Sequence, residues 1–235
     1  MTRDEVLALM GDIAERVRGE VSDCIRAVTS LLLSLNIPEG EKFRYKDHPD
    51  IEKDIDDLLK DLADRIYDMI EEAVISAEDE DDDENIIPVW FSQNDVRSRI
   101  DSHCSNLKTV FEVFIGAMIA KKVVPSLMPA LYPSWIAVNK FHFGRGVNGN
   151  PGKALSYLAE DTLYSGFIGS TIRGFRNKGA VGYQVYRGSG YDCEVCDEIC
   201  FGGGGYRKLY TFDTDIPIPA HPHCVCYAVP VYDKE

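Results

Sequence analysis

Five of the seven cysteines lie between residues 193 and 226, and four of them form two close pairs. The first is Cys193-x-x-Cys196; the second, Cys224-x-Cys226, sits inside HPHCVC with His221 and His223 beside it. Thiolate and imidazole donors at this spacing suit a soft divalent metal, because two sulfurs on one tight turn can both reach an ion at ~2.3 Å. A tetrahedral site closed by Cys193, Cys196, one histidine and one of the later cysteines is a structural Cys₃His or Cys₄ centre, for which redox-inert Zn²⁺ is the natural occupant. Within the second half His221 and Cys224 are favoured, since His-Pro-x-Cys can wrap around one ion. Cys226 stays an alternative because it alternates with Val225 and Tyr227 in a predicted strand, and Cys200 is a weaker one. The competing reading is a set of reduced thiols filling space in a small β module.

A catalytic metal has less support. A zinc deaminase needs H-x-E followed by P-C-x-x-C, and a zinc protease helix needs H-E-x-x-H; neither string occurs. A metal nuclease would want a histidine base beside an acidic ligand, which His221 or His223 with Asp213 or Asp215 matches only loosely. An odd cysteine count with this crowding argues for metal ligation in a reducing compartment over a disulfide scaffold. Cys24 and Cys104 fall at apolar helical positions and read as inert buried thiols.

The elements that must carry these residues follow from periodicity. Thr2 and Glu5 form a capping box, and Val6, Met10, Ile13, Val17, Val21, Cys24, Val28, Leu31 and Leu35 mark one long amphipathic helix. A break across Asn36 to Pro49 precedes a second stripe at Ile51, Ile55, Leu58, Leu62, Ile66, Met69 and Ala73. A third, capped by Ser92 or Asn94, carries Val96, Ile100, Leu107, Phe111, Phe114 and Met118 and extends toward Lys122. Three antiparallel helices are the simplest arrangement. Pro125, Pro129 and Pro133 predict short helical turns with Trp135, Phe141 and Phe143 inward. Gly144, Gly146 and Gly149 match G-x-G-x-x-G formally, but no strand precedes them, so a dinucleotide site is not expected. Helical spacing resumes from Lys153 to Arg176, and from Val181 the period switches to strand in VGYQVYR and CVCYAVPVY.

The chain is α+β by this reading, with a mainly helical body of long antiparallel helices over 1–150 and a small β-rich zinc-binding module over 151–235. At 235 residues it can bury a core without metal or disulfides, so the metal is local reinforcement. Residues 50–84 hold 17 acidic side chains against three basic ones, a balance equal to the net charge of −14, so the rest of the chain is neutral. That segment, ending in EDEDDDE, is either a solvated face and linker or a dock for a basic partner. No apolar run approaches the ~20 residues of a membrane span, and the amino terminus lacks a secretory pattern. A cytosolic start is expected.

Three ordered segments carry a family resemblance: STIRGFRNKG, then YQVYRGSGYDCEVC, then IPIPAHPHCVCYAVPVY. Together, from Ile172 to Val231, they resemble the phage Mu F-like head morphogenesis proteins, minor head proteins of tailed phages and prophages. The likeness lies in an aromatic strand running into D-C-x-x-C, similar to the family's D-x-C-x-x-C, and a proline-led H-P-x-C-x-C followed by an apolar strand, and covers about a quarter of the chain. Where the family has a short L-D-G after its C-x-x-C, this chain has DEICFGGGGYRKLYTF. The resemblance implies a non-enzymatic component of the virion interior or host bacterial cytoplasm, present in few copies near the portal. It would act in capsid assembly or genome delivery, with portal, scaffold or major capsid protein as partners and self-association through the amino-terminal helices. Two other readings are a zinc-dependent nuclease or toxin-like enzyme, and a zinc-knuckle adaptor. Whether nucleic acid is a partner is left open.

Overall fold

The computed structural model describes residues 2–35, 44–77, 93–120, 150–188, 190, 192–202, 205–220 and 224–233. Its main elements are helices α1 (Arg3–Leu33), α2 (Pro49–Ala77), α3 (Gln93–Ala120), α4 (Pro151–Asn177) and α5 (Glu194–Phe201), and strands β1 (Gly182–Tyr186), β2 (Leu209–Tyr210) and β3 (Tyr227–Val231). The acidic run Glu78 to Glu84, the proline-rich stretch, the glycine loop 144–149, His221 and His223 lie outside the described residues.

Local chemistry sets the helix starts. At α1 the capping box is formed as expected: the Thr2 amide donates to Glu5 Oε2 at 2.7 Å and the Glu5 amide to Thr2 Oγ1 at 3.4 Å. At α4 the Asn150 side chain accepts from the Lys153 amide at 3.0 Å, and Pro151 takes the first helical position, where its missing N–H costs nothing. Asn150→Ala is expected to lower stability by about 1 kcal/mol, read as a shift of the urea midpoint with unchanged slope.

The chain divides into two compact units that interleave along the sequence. One comprises Ala14–Met69 and Gln93–Ser156; the other Met1–Ile13, Ile70–Ser92 and Tyr157–Glu235. The division differs from a single cut at residue 150, because each of α1, α2 and α4 spends part of its length in each unit.

In the first unit α1, α2 and α3 run antiparallel in succession. Arg65 pairs with Glu20 and the Cys24 thiol lies 4.0 Å from the Leu58 carbonyl, while Arg97 pairs with Asp64 and Lys108 with Glu52 and Asp56. The core follows the expected stripes with shifts, Leu32 and Leu59 being buried while Leu31, Ile51 and Leu58 are only half-buried: Val17, Val21, Cys24, Val28 and Leu32 on α1, Ile55, Leu59, Leu62, Ala63 and Ile66 on α2, Val96, Ile100, Cys104, Leu107 and Phe111 on α3. Burial there pushes the Cys24 thiol up to about 11 and the Cys104 thiol up to about 12, so both are inert at neutral pH.

In the second unit the three strands form one antiparallel sheet in the order β2-β1-β3. Tyr183 of β1 lies opposite both Tyr210 and Pro230, and Tyr186 opposite Tyr227. Proline is tolerated at position 230 because β3 is an edge strand, where one side of the backbone needs no partner. The α4 side chains Leu158, Leu163, Tyr164, Ile168 and Ile172 are buried, as are Tyr183 and Val185 of β1.

Candidate metal centre

The C-x-x-C pair opens a helix, which corrects the expected turn. Cys193 is the N-cap of α5 in extended conformation, and its sulfur accepts the Cys196 amide at 3.5 Å. After eight helical residues Gly202 ends the helix in the left-handed conformation at φ 55°, the C-terminal role glycine fills without a Cβ penalty. Cys196 and Cys200, four apart, thus share the buried face of α5.

The second pair arrives from the other side. Cys226 immediately precedes β3, one residue before the Tyr186–Tyr227 pairing. The sulfurs of Cys196, Cys224 and Cys226 all lie within 4.8 Å of one another, with Cys196 and Cys224 at 4.0 Å. Sulfurs ~2.3 Å from a tetrahedral ion stand about 3.8 Å apart, so little adjustment separates this packing from a ligand shell. The three residues are 4, 2 and 3 % exposed, respectively, and Cys193 is half-buried.

Without a cation this is a costly place for thiolate. Burial pushes the Cys196 thiol up to about 12, and hydrogen bonding with Cys224, then burial, holds the Cys226 thiol well above its usual range. A bound divalent ion reverses that logic, since a coordinating thiol gives up its proton. Two backbone N–H groups already donate to the sulfurs: Cys196 to Cys193, and Gly188 to Cys226. Such donors spread the negative charge that a metal–thiolate group carries.

Further contacts fix the frame. The Tyr164 hydroxyl on α4 donates to the Cys226 carbonyl at 2.9 Å. Arg3, in the first turn of α1, donates to the Val225 and Gly188 carbonyls at 3.2 and 3.3 Å and sits over the Tyr227 ring. An Arg187–Asp197 pair at 2.9 Å joins the end of β1 to α5, and the Tyr210 hydroxyl donates to Ile199 on the same helix. A Cβ at Gly188 would run into the Val225 carbonyl and the Arg3 guanidinium, so this crossing requires glycine.

Of the five residues singled out by sequence, Cys196, Cys224 and Cys226 are brought together and Cys193 stands at the edge. His221 lies outside the described residues. Cys226, only an alternative by sequence, is a full member of the cluster, because its position just ahead of β3 turns the sulfur toward α5. Cys200 is fully buried on α5 but outside the three-sulfur group. Arg3, Tyr164 and Gly188 carried no signal in the sequence: the first acts across 222 residues and the second across 62.

No protein-family model, no curated protein and no solved structure matches the chain. What fold and site define by themselves is an α+β protein, helical in its larger part, with a small three-stranded sheet and a buried cysteine cluster able to hold a metal ion.

Proposed function

We propose that the chain is a non-enzymatic minor head protein of a tailed phage or prophage, and that its cysteine cluster is a structural zinc clasp. The observation that carries the reading is the ordered pair D-C-x-x-C and H-P-x-C-x-C, three of whose four cysteines converge where the likeness to the head morphogenesis proteins is concentrated. Zinc fits the donor set, because buried thiolates select a soft ion with no geometric demand of its own. Cys193 closes the fourth position from the N-cap, with His221 as the other candidate. A site filled by four protein ligands has no place for a reacting water, which supports a structural role. Capsid assembly or genome delivery near the portal would then rest on surface recognition by the helices, with portal, scaffold or major capsid protein, or a second copy of the chain, as partner. Among the described residues no helix is long and apolar enough to cross a membrane, which fits a place in the virion interior or host cytoplasm.

The test is incorporation. Co-expressed with the portal, scaffold and major capsid proteins encoded in the same genome, the chain is expected in purified heads at a few copies per particle by quantitative mass spectrometry. Heads that form normally and exclude it, or Mg²⁺- or Mn²⁺-dependent DNA cleavage by the purified chain, would overturn the reading.

A further inference from the structure

A separate cleft lies in the same unit, where the end of α4 faces β1 and the segment after β2. It encloses about 170 Å³ and is lined by Gly169, Ile172, Arg173, Arg176, Tyr183, Phe212, Thr214 and Ile216. The volume equals that of roughly six waters, well below the size of pockets that take nucleotides or drug-sized molecules.

Tyr183 is the telling residue. It is fully buried, stacked on Tyr210 at 5.5 Å and tilted against Phe212 at 6.1 Å, yet its hydroxyl has no hydrogen-bond partner among the described residues. Burial pushes this phenol up to about 12, so it remains a donor at any physiological pH. A buried hydroxyl left unmatched costs stability, and phenylalanine would fill the same volume without that cost. A local rule broken without gain to the fold is expected where a function uses the group. Arg173 and Arg176, one turn apart on α4, add two guanidinium groups, and Thr214 a hydroxyl. Among the described residues no acidic side chain lines the cleft; the exposed Asp213 and Asp215 flank Thr214 without lining it. The walls are the aromatic and aliphatic faces of Phe212, Ile172 and Ile216.

We propose that this cleft binds a small amphipathic carboxylate, its apolar body against Phe212, Ile172 and Ile216, and its anionic end held by Arg176 and the Tyr183 hydroxyl. Guanidinium is the group that grips a carboxylate in two parallel hydrogen bonds, and an apolar-walled cleft prefers an ion with a hydrocarbon body over a fully hydrated one. A free aromatic acid and the carboxy terminus of a peptide ending in an aromatic residue share this chemistry. The inference does not depend on the metal or on the head-protein reading.

Calorimetric titration of the full chain with benzoate tests it, with benzyl alcohol and inorganic phosphate as comparators. Benzoate is expected at one site, about tenfold tighter than either comparator, since a charge-assisted pair is worth roughly that factor. Tyr183→Phe should weaken benzoate at least threefold while melting no lower than wild type, and Arg176→Gln should weaken it about tenfold without changing the melt. An acetylated peptide ending in phenylalanine with a free carboxylate identifies the source: tighter binding than benzoate points to a chain terminus, weaker binding to a free acid, and either upholds the class. Equal affinity for benzoate and benzyl alcohol, phosphate as good as benzoate, or full affinity in both variants would sink the proposal.

Discussion

Cys196→Ser is expected to remove the metal and loosen the carboxy-terminal module while leaving the three-helix packing in place. Wild-type protein should carry close to one zinc per chain by elemental analysis, and the variant almost none. Serine keeps the size of the side chain but exchanges a polarizable thiolate for a hydroxyl that does not ionise near neutral pH, at a buried position 4.0 Å from the Cys224 sulfur. Structural zinc binds with about 10–16 kcal/mol in isolated fingers, and where binding is coupled to folding that energy belongs to the fold. Here much of the fold does not depend on it, because the buried residues of α1, α2 and α3 in the first unit make a core of their own. Hydrogen exchange should therefore accelerate over residues 182–231 and change little over 96–111. Wild-type chain that purifies without metal and with every cysteine open to titration would refute the clasp, as would uniform loosening of both regions.

A second large effect is expected at a glycine that bears no donor atom on its side chain. Gly188→Ala places a methyl group against the Val225 carbonyl, which is backbone and cannot swing away, and against the Arg3 guanidinium. The strands must part, at a cost of about 3 kcal/mol, the upper range for overpacking at a rigid site. Parting also draws the Gly188 N–H off the Cys226 sulfur, so zinc affinity should fall about tenfold or more, as it does when outer-shell hydrogen bonds are lost. Gly190→Ala is the control, since a Cβ there meets nothing within 4 Å among the described residues. Equal stability and equal metal affinity in the two variants would show that the crossing at residue 188 does not hold the centre.

Both expectations rest on contacts that vary in how far they could be read from the chain. The helices were legible because burial writes itself as period: Val6, Met10, Ile13, Val17, Val21, Cys24 and Val28 are all buried. The stripe then slips, and Leu32 is buried where Leu31 was expected, because 3.6 residues per turn drifts against any fixed spacing over a helix this long. Strands β1 and β3 were legible from alternation and composition, although β3 starts at Tyr227, after the two cysteines; the two-residue β2 was not expected. Helix α5 was not, since glycines 202 to 205 and a familiar metal-knuckle spacing pointed to a turn. The acids Glu194 and Asp197 in its first turn and Gly202 just past its end were signals for it. At the metal centre the donors were visible and their grouping was not, because which sulfurs meet depends on where α5 starts and β3 begins. Tyr164 and Arg3 act through tertiary geometry alone, and no local pattern encodes that.

The grip of Arg3 on Val225 and Gly188 also sets an order of events in synthesis. A chain made from its amino terminus exposes that arginine first and completes its partners 222 residues later. At about 5–20 residues per second the interval is roughly ten seconds to three-quarters of a minute. Throughout it α1 can form its turns, but its first turn has nothing to hold, and the cysteine pairs are still unmade or apart. Contacts so distant along the chain are slow to form, and here they close last, together with the thiol cluster. The amino-terminal turn thus works as a latch that engages only after the carboxy-terminal strand has been delivered, so any metal ion that meets a half-made module finds one wall of the thiol cluster missing.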